Sequence, residues 1–381
     1  MINMKDWIGR AEALGLLGVK PQTLYAYVSR GLIEARREAN SRSSQYRAAD
    51  VAALAGRRGR SRSPSAVAAG SMAWGEPSVV TAISTIHRGR LIYRGLDAVD
   101  FSQHATLEAA ARLLWNSTGE VGFAIPVTGI GTPFEALAAL VPESHASIGR
   151  STERLARDAQ AAIARVAASC GLSPGQAPLH AALGTLWSLT PAEADLVRQA
   201  LVLLADHELN ASAFAARVAA STGAPVTACL LAGLSTLSGP KHGGASAALL
   251  RLLDEAAAVG PQRAVQGWLD RHGFLPGFGH PLYPQGDVRA AALAPRIAVE
   301  PLMRDLQDLV LELTGTLPNI DFALAALAKA TRLPPSAPFT IFLLGRSVGW
   351  AAHAMEQARD GALIRPRARY KGPVPATRSG T

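Results

Sequence analysis

From Thr106 to the region of Asp360 the chain is patterned as helix almost throughout, and the pattern breaks where glycine and proline gather at 173–177, 238–244, 276–286 and 315–318. Apolar residues at helical spacing must bury one face, so helices divided by such breaks are read as packing on one another. Composition points the same way, because alanine is abundant while aromatics make up only 6% of residues, which favours helix over strand. With 49% hydrophobic and 18% charged residues among 381, the expectation is a soluble globular protein of two or three domains with a sizeable core. The fold class is therefore mainly α, and no internal repeat is visible.

Residues 1–56 read as a small separate domain: a helix over 10–17, a turn at Gly18, a second helix over 21–30 stopped by Gly31, the polar stretch SRSSQYR, and a short helix over 48–55. Pro21 falls near the first turn of its helix, where the missing N–H costs nothing. The stretch RAEALGLLGVKPQTLYAYVSRGLI resembles the helix-turn-helix of the MerR and excisionase type, whose second helix offers side chains to the major groove and is followed by a small wing. The resemblance puts Gln22, Thr23, Tyr25 and Tyr27 on that helix, with Arg30, Arg36, Arg37 and Arg42 near phosphates. Charge supports it: residues 1–70 hold 12 Lys/Arg against 5 Asp/Glu, or +7 of the net +9, whereas the other 311 hold 26 against 24. Two readings stand side by side, a DNA partner held through residues 1–56 with salt-sensitive affinity, or a helical appendage with solvated charges. One such domain binds weakly alone, so DNA binding would need the body to dimerise. Residues 57–72, basic and containing Ser, Gly and Pro, are read as a flexible linker, and 73–381 as the main domain. That domain opens on SVVTAISTIHRGRLIYRG, whose β-branched residues indicate a short hairpin.

No apolar run approaches the roughly 18 residues that would span a bilayer, so no membrane partner is expected. The start, MINMKDWIGR, has no secretory pattern, and the cytoplasm is the expected location. Cys170 and Cys229 lack paired spacing, so neither a disulfide framework nor a zinc site is expected.

Of the nine histidines, His104, His145 and His353 sit in ordinary helical surroundings and read as surface or core residues. His207 lies in ADHELN after the apolar run LVLL, His242 in GPKHGGA and His280 in LPGFGHPLY. Glycines beside the last two let the backbone approach a ligand closely. Asp321 enters an apolar helix after Leu317-Pro318-Asn319-Ile320, and by itself reads equally as an N-terminal cap or as a functional carboxylate. Together with Arg289, Arg346 and Arg365, these residues form a set suited to enolisation beside a polyanionic substrate, since arginine forks hold carboxylates in bidentate geometry.

LLADHELNASAFAARVAASTGA, LSGPKHGGA, LPGFGHPLYPQGDVRA, LPNIDF, GRSVGWAAHAMEQ and IRPRARYKGP resemble, in order, the signature segments of the citrate synthase family. YRGLDAVDF and the hairpin before it are similar to that family's N-terminal region, so the resemblance covers about 74–373. It implies an all-α fold with a large and a small domain, the small one at roughly 245–325, and a homodimer with active sites in the interdomain cleft. The implied reaction joins an acyl-CoA to oxaloacetate and then hydrolyses the thioester, giving citrate from acetyl-CoA or 2-methylcitrate from propionyl-CoA, with no metal or other cofactor. In it Asp321 matches the base that deprotonates the carbon next to the thioester, His242 the residue bonded to the thioester oxygen, and His280 the one that polarises the ketone. His207, Arg289, Arg346 and Arg365 match oxaloacetate contacts, the last usually supplied across the dimer interface. The backbone of Leu275, Pro276, Gly277, Phe278 and Gly279, with Asn319, matches the region that receives CoA.

The chain departs from the family pattern at several places. The usual Asp-Pro-Arg reads Asp287-Val288-Arg289, Pro281 stands where many members carry a basic residue, Leu282 replaces a common β-branched one, and Lys241 stands where leucine is frequent. The body is short, and 115–180 looks reduced. Acyl-chain preference and the CoA phosphate contacts are therefore not inherited from the resemblance. Two other readings are carried: a citryl-CoA lyase running related chemistry backwards, and a DNA-binding regulator sensing a CoA ester or a tricarboxylate. Against the second, a binding-only domain has no need of a carbon-acid base such as Asp321.

Overall fold

The computed structural model describes residues 6–19, 23–24, 27–28, 32–37, 44–59, 79–127, 131–366, 368, 370 and 372. The chain divides into two units, Met1–Val80 and Thr81–Thr381. In the first, β1 (Trp7–Gly9) leads into α1 (Arg10–Leu17), and β2 (Ala35–Arg37) and β3 (Ser44–Arg47) lead into α2 (Ala48–Gly59). The strands form an antiparallel sheet in the order β1-β3-β2, with Ile8 opposite Tyr46 and Arg36 opposite Gln45. Ile8, Ala13, Leu17, Leu24, Ile33, Tyr46, Ala48 and Val51 make this unit's own core. The first helix covers the span read from sequence. Of the second, residues 23–24 and 27–28 are helical, whereas Gln22, Tyr25, Arg30 and Arg42 lie outside the described residues. Tyr27 and Thr23 are half-buried, and Tyr27 packs on the core, so its ring is partly committed to folding rather than to a groove. The last helix runs on to Gly59, beyond the expected start of the linker at 57.

The second unit begins with β4 (Ser84–His87), β5 (Arg90–Tyr93) and β6 (Leu96–Asp97), paired in that order, so the expected hairpin carries a short third strand. Helices follow: α3 (Ala98–Ser102), α4 (Leu107–Trp115), α5 (Pro133–Leu140), α6 (Thr152–Ser169), α7 (Leu179–Leu186), α8 (Pro191–Leu204), α9 (Ala211–Ser221) and α10 (Val226–Leu237). After the break at 238–244 come α11 (Ala245–Val259), α12 (Pro261–His272), α13 (Val288–Leu293), α14 (Pro301–Thr314), α15 (Ile320–Ala330) and α16 (Ala337–Asp360). Thr190 and Glu193 form a capping box around Pro191, which makes the start of α8 sharp.

α16 is the axis of the unit. It is buried on nearly every side, polar Arg346, Ser347, His353 and Gln357 included, and packs against α4, α6, α8, α9, α10, α11 and α15. Gly345 and Gly349 let it press against the end of α8: a Cβ at Gly345 would stand 2.9 Å from the Leu201 carbonyl oxygen, and one at Gly349 would collide with Ala205 O. The hairpin is fastened at the same place. The Tyr93 hydroxyl bonds the backbone of Val202, Leu203 and Asp206, and Ser84 Oγ donates to Asp206 Oδ2 at 2.5 Å. Hairpin, α8 and α16 thus converge on the segment carrying His207. Among the described residues, no helix is long and apolar enough to cross a membrane.

Candidate active site

Arg346 projects from α16 beside the end of α8, where its Nε donates to Leu204 O at 2.8 Å. Its Nη2 is buried without a hydrogen-bond partner among the described residues, although the side chain is only 1% exposed. Burial lowers its pKa to about 10, opposed chiefly by the nearby Asp206 carboxylate. Asp206 is itself fully buried, with His353 Nε2 at 3.3 Å. Burial resists its charge, but His353 and Arg346 outweigh that and hold its pKa below the usual carboxylate value. His353, which its sequence context made unremarkable, is therefore a neighbour of this buried carboxylate. A buried guanidinium group with an idle N–H is costly unless an anion arrives to meet it.

Arg289, in the first turn of α13, is held by Asp287 through Nε at 3.0 Å and Nη2 at 2.8 Å. Asp287 caps α13 by accepting Arg289 N, and it also accepts Ile320 N at 3.0 Å, joining that cap to the start of α15. Val288 replaces the family's proline without disturbing this cap.

The imidazoles gather around these cations. His207 and His280 lie 4.9 Å apart edge to face, and Tyr283 packs against both, at 5.5 and 5.2 Å. His207 Nε2 is 3.1 Å from the Tyr283 hydroxyl. His280 Nδ1 accepts Leu282 N–H at 3.2 Å, so the neutral ring carries its proton on Nε2. His242, in the turn before α11, has Nε2 2.8 Å from Ser212 Oγ, which also accepts Trp350 Nε1–H at 3.0 Å. All three rings are neutral at physiological pH. Burial and then Arg346 lower His242 to about 4, burial and then Arg289 bring His280 to about 4, and His207 falls well below its ordinary value for the same reasons.

Asp321 stands in the first turn of α15, but the cap there is Asn319, whose Oδ1 accepts Asp321 N at 3.0 Å and Phe322 N at 3.4 Å. The Asp321 carboxylate is thereby relieved of capping. Among the described residues it accepts one hydrogen bond, from Ser246 Oγ at 2.8 Å, and burial raises its pKa against the opposing pull of Ser246 and Arg289. Asn319 is also a fastener: its Nδ2 donates to Gly279 O at 3.1 Å and its backbone N–H to Gly277 O at 2.9 Å. Gly277 and Gly279 both have positive φ, 81° and 70°, which lets residues 275–279 lie against 317–319. Leu275, Pro276, Gly277 and Phe278 are buried and Gly279 is half-buried, so this loop offers a ligand backbone more than side chains.

The structure thus brings together His207, His242, His280, Arg289, Arg346 and Asp321, and the Arg346 charge is felt at all three histidines and at Asp321. Arg365 is not among them: it is exposed, beyond the end of α16, and makes no hydrogen bond or ion pair with any described residue. Sequence reasoning missed Tyr283, Ser246, Asp287, Ser212 and Asp206. Their only signal was proximity in the chain, Ser246 one helical turn after His242 and Tyr283 in the same break as His280. Two shallow surface depressions, one beside Gly260 and Asp305 and one beside Arg90 and Val288, include none of the clustered residues.

Neutral N–H donors, fixed cations and one desolvated carboxylate suit removal of a weakly acidic proton beside a carbonyl, where a developing enolate needs a dry, preorganised setting. The class so defined is a mainly α-helical protein equipped for carbon-acid chemistry next to an anion. Comparison with known proteins makes the class specific: the chain belongs to the citrate synthase family, whose model "Citrate synthase, C-terminal domain" matches residues 124–367. The chain is similar to the citrate synthase of Haloferax volcanii, 37% identical over 191 residues, covering 47% of this chain and 50% of that protein. It spans about half the length of the curated relatives it matches. Its fold is that of the citrate synthase from Thermotoga maritima, with a TM-score of 0.66 and 23% identity over 79% of this chain and 95% of the other. The citrate synthase from Thermoplasma acidophilum, in a ternary complex with carboxymethyl coenzyme A and oxaloacetate, superposes with a TM-score of 0.62 and 22% identity over 80% of this chain and 96% of the other.

Proposed function

We propose that the chain is an acyl-CoA condensing enzyme, joining acetyl-CoA or propionyl-CoA to oxaloacetate with water to give citrate or 2-methylcitrate and CoA. The observation that carries this reading is Asp321, a desolvated carboxylate relieved of helix capping and set in the field of two buried arginines. Asp321 takes a proton from the carbon beside the thioester while His242 donates to the thioester oxygen. His280 donates Nε2–H to the ketone oxygen, drawing electron density away from the carbon under attack. His207, Arg289 and Arg346 hold the carboxylates, and the idle Nη2 of Arg346 supports that assignment. Arg365 is assigned to the site of a second copy in a homodimer, in keeping with its exposed position. The loop of Leu275, Pro276, Gly277, Phe278 and Gly279 receives CoA, and Asn319 acts there by holding the loop. The ligands of the Thermoplasma acidophilum complex support this pairing of substrates. No metal or cofactor beyond the thioester enters, and the cytoplasm is the proposed location.

The proposed organisation is a helix-turn-helix domain at 1–56, a linker at 57–72 and a catalytic domain at 73–381, its small part at about 245–325 closing to exclude water. DNA is the proposed partner of the first domain, favoured by its own core, its three-stranded sheet and the charge concentrated there. The lyase and pure-regulator readings are disfavoured, the second because Asp321 and its neutral imidazoles exceed what binding requires.

The test is thiol release on mixing oxaloacetate with acetyl-CoA or propionyl-CoA. Release should require both substrates and fall on the order of 10²–10⁴-fold in Asp321→Ala, the usual contribution of a general base. A folded wild-type protein that turns over neither thioester would overturn the reading.

A further inference from the structure

We propose that Tyr283 is a positioning residue that fixes the proton of the neutral His207 ring on Nδ1, so that His207 and His280 each present one N–H to an acceptor-only ligand. The argument begins with the phenol. Its oxygen lies 3.1 Å from His207 Nε2 and has no other hydrogen-bond partner among the described residues. A phenol has one hydrogen to give, and Nε2 is the acceptor in reach, so donation from Tyr283 to His207 satisfies both groups. The opposite sense would leave the buried phenol hydrogen without an acceptor among those residues.

The protonation states agree with that geometry. Burial pushes the Tyr283 hydroxyl well above its ordinary pKa, so it keeps its proton. Burial and the two arginines keep His207 neutral, with one ring proton. If Nε2 accepts, that proton is on Nδ1, which has no partner among the described residues, while the residue keeps 5% of its surface open.

His280 is locked the other way round. Leu282 N–H can only donate, so His280 Nδ1 is the acceptor and Nε2 bears the proton. Both locks come from one turn, in which Tyr283 N donates to His280 O at 2.9 Å. The turn holds His280 through its backbone and reaches His207 through the Tyr283 side chain. That side chain is only 3% exposed, and the Arg289 guanidinium lies 5.6 Å over its ring. A ligand made of carboxylate and ketone oxygens has only lone pairs to offer, so a His207 lone pair turned toward it would repel.

The proposal rests on the condensing-enzyme reading only for the ligand's identity, and its test does not need turnover. Long-range ¹H–¹⁵N correlation on the substrate-free full chain with ¹⁵N-labelled histidine reads the tautomer, and the His207 signals are identified by their loss in His207→Gln. The expected result is Nδ1–H in the wild type and a shift toward Nε2–H in Tyr283→Phe. In the assay that variant should raise KM for oxaloacetate about tenfold, the effect of one lost hydrogen bond, with a much smaller change in kcat. Nε2–H in the wild type, or an unchanged tautomer in Tyr283→Phe, would overturn the proposal. Nδ1–H in a protein without condensing activity would uphold it and count against the function instead.

Discussion

A carboxylate that must take a proton from carbon is caught between two demands. Removing it from water strengthens it as a base, yet the same burial favours its protonated, inactive form. At Asp321, the proposed base, the compromise rests on Ser246, whose hydroxyl donates to Oδ1 and pulls against the upward push of burial. Because the base must be ionised, activity should be lost as pH falls through the raised pKa of Asp321. Ser246→Ala removes the opposing pull, so the acidic limb of the kcat/KM profile should move to higher pH, by about one unit for one charge-assisted hydrogen bond. Ser246→Thr keeps the hydroxyl and should keep the profile. Identical profiles in wild type and Ser246→Ala would show that Ser246 does not tune the base.

Two elements meet where residues 275–279 lie along the start of α15, and Asn319 serves both. As a cap it satisfies N–H groups of the helix, and through Nδ2 it holds Gly279 O. The jobs are separable. Asn319→Ala should lower unfolding stability by about 1 kcal/mol through the lost cap, read by denaturant titration. Asn319→Ser caps equally well but lacks the amide, so its stability should stay near wild type while KM for the acyl-CoA rises. A Ser variant as unstable as the Ala variant would refute this division. The helices, their breaks and the hairpin were legible in the sequence because helical periodicity and Gly/Pro punctuation are local signals. His242, His280 and Asp321 stood out for the same local reason. What stayed hidden is pairing at a distance: Ser246 with Asp321 across 75 positions, and Tyr283 with His207 across 76. Nor could Asp321 be told from a cap until Asn319 was seen doing that work, and His353 looked ordinary because Asp206 lies in a different helix's wake.

At the scale of the whole molecule, charge is partitioned as sharply as fold. Residues 1–70 hold +7 of the net +9, and the unit they belong to has a hydrophobic core separate from that of the helical body. Part of that charge is already engaged. Arg36 lies 4.2 Å over the Trp7 ring and bonds Gln45, and Arg47 pairs with Glu34 at 2.9 Å. If about four phosphates are neutralised by the rest, affinity for duplex DNA should fall roughly a hundredfold between 50 and 200 mM salt. Dimerisation of the body would link two heads and raise the apparent affinity without any new contact. Removing residues 1–60 leaves the body's core intact, so the shortened chain should keep its thiol release and lose DNA binding as read by fluorescence anisotropy. Equal binding by both forms would move the contact to the body, and no binding by the full chain at low salt would leave the head without a DNA partner. Should binding follow the head while catalysis follows Asp321, the two activities belong to separate units, and a catalytically silent Asp321→Ala chain should still bind DNA with the same salt dependence.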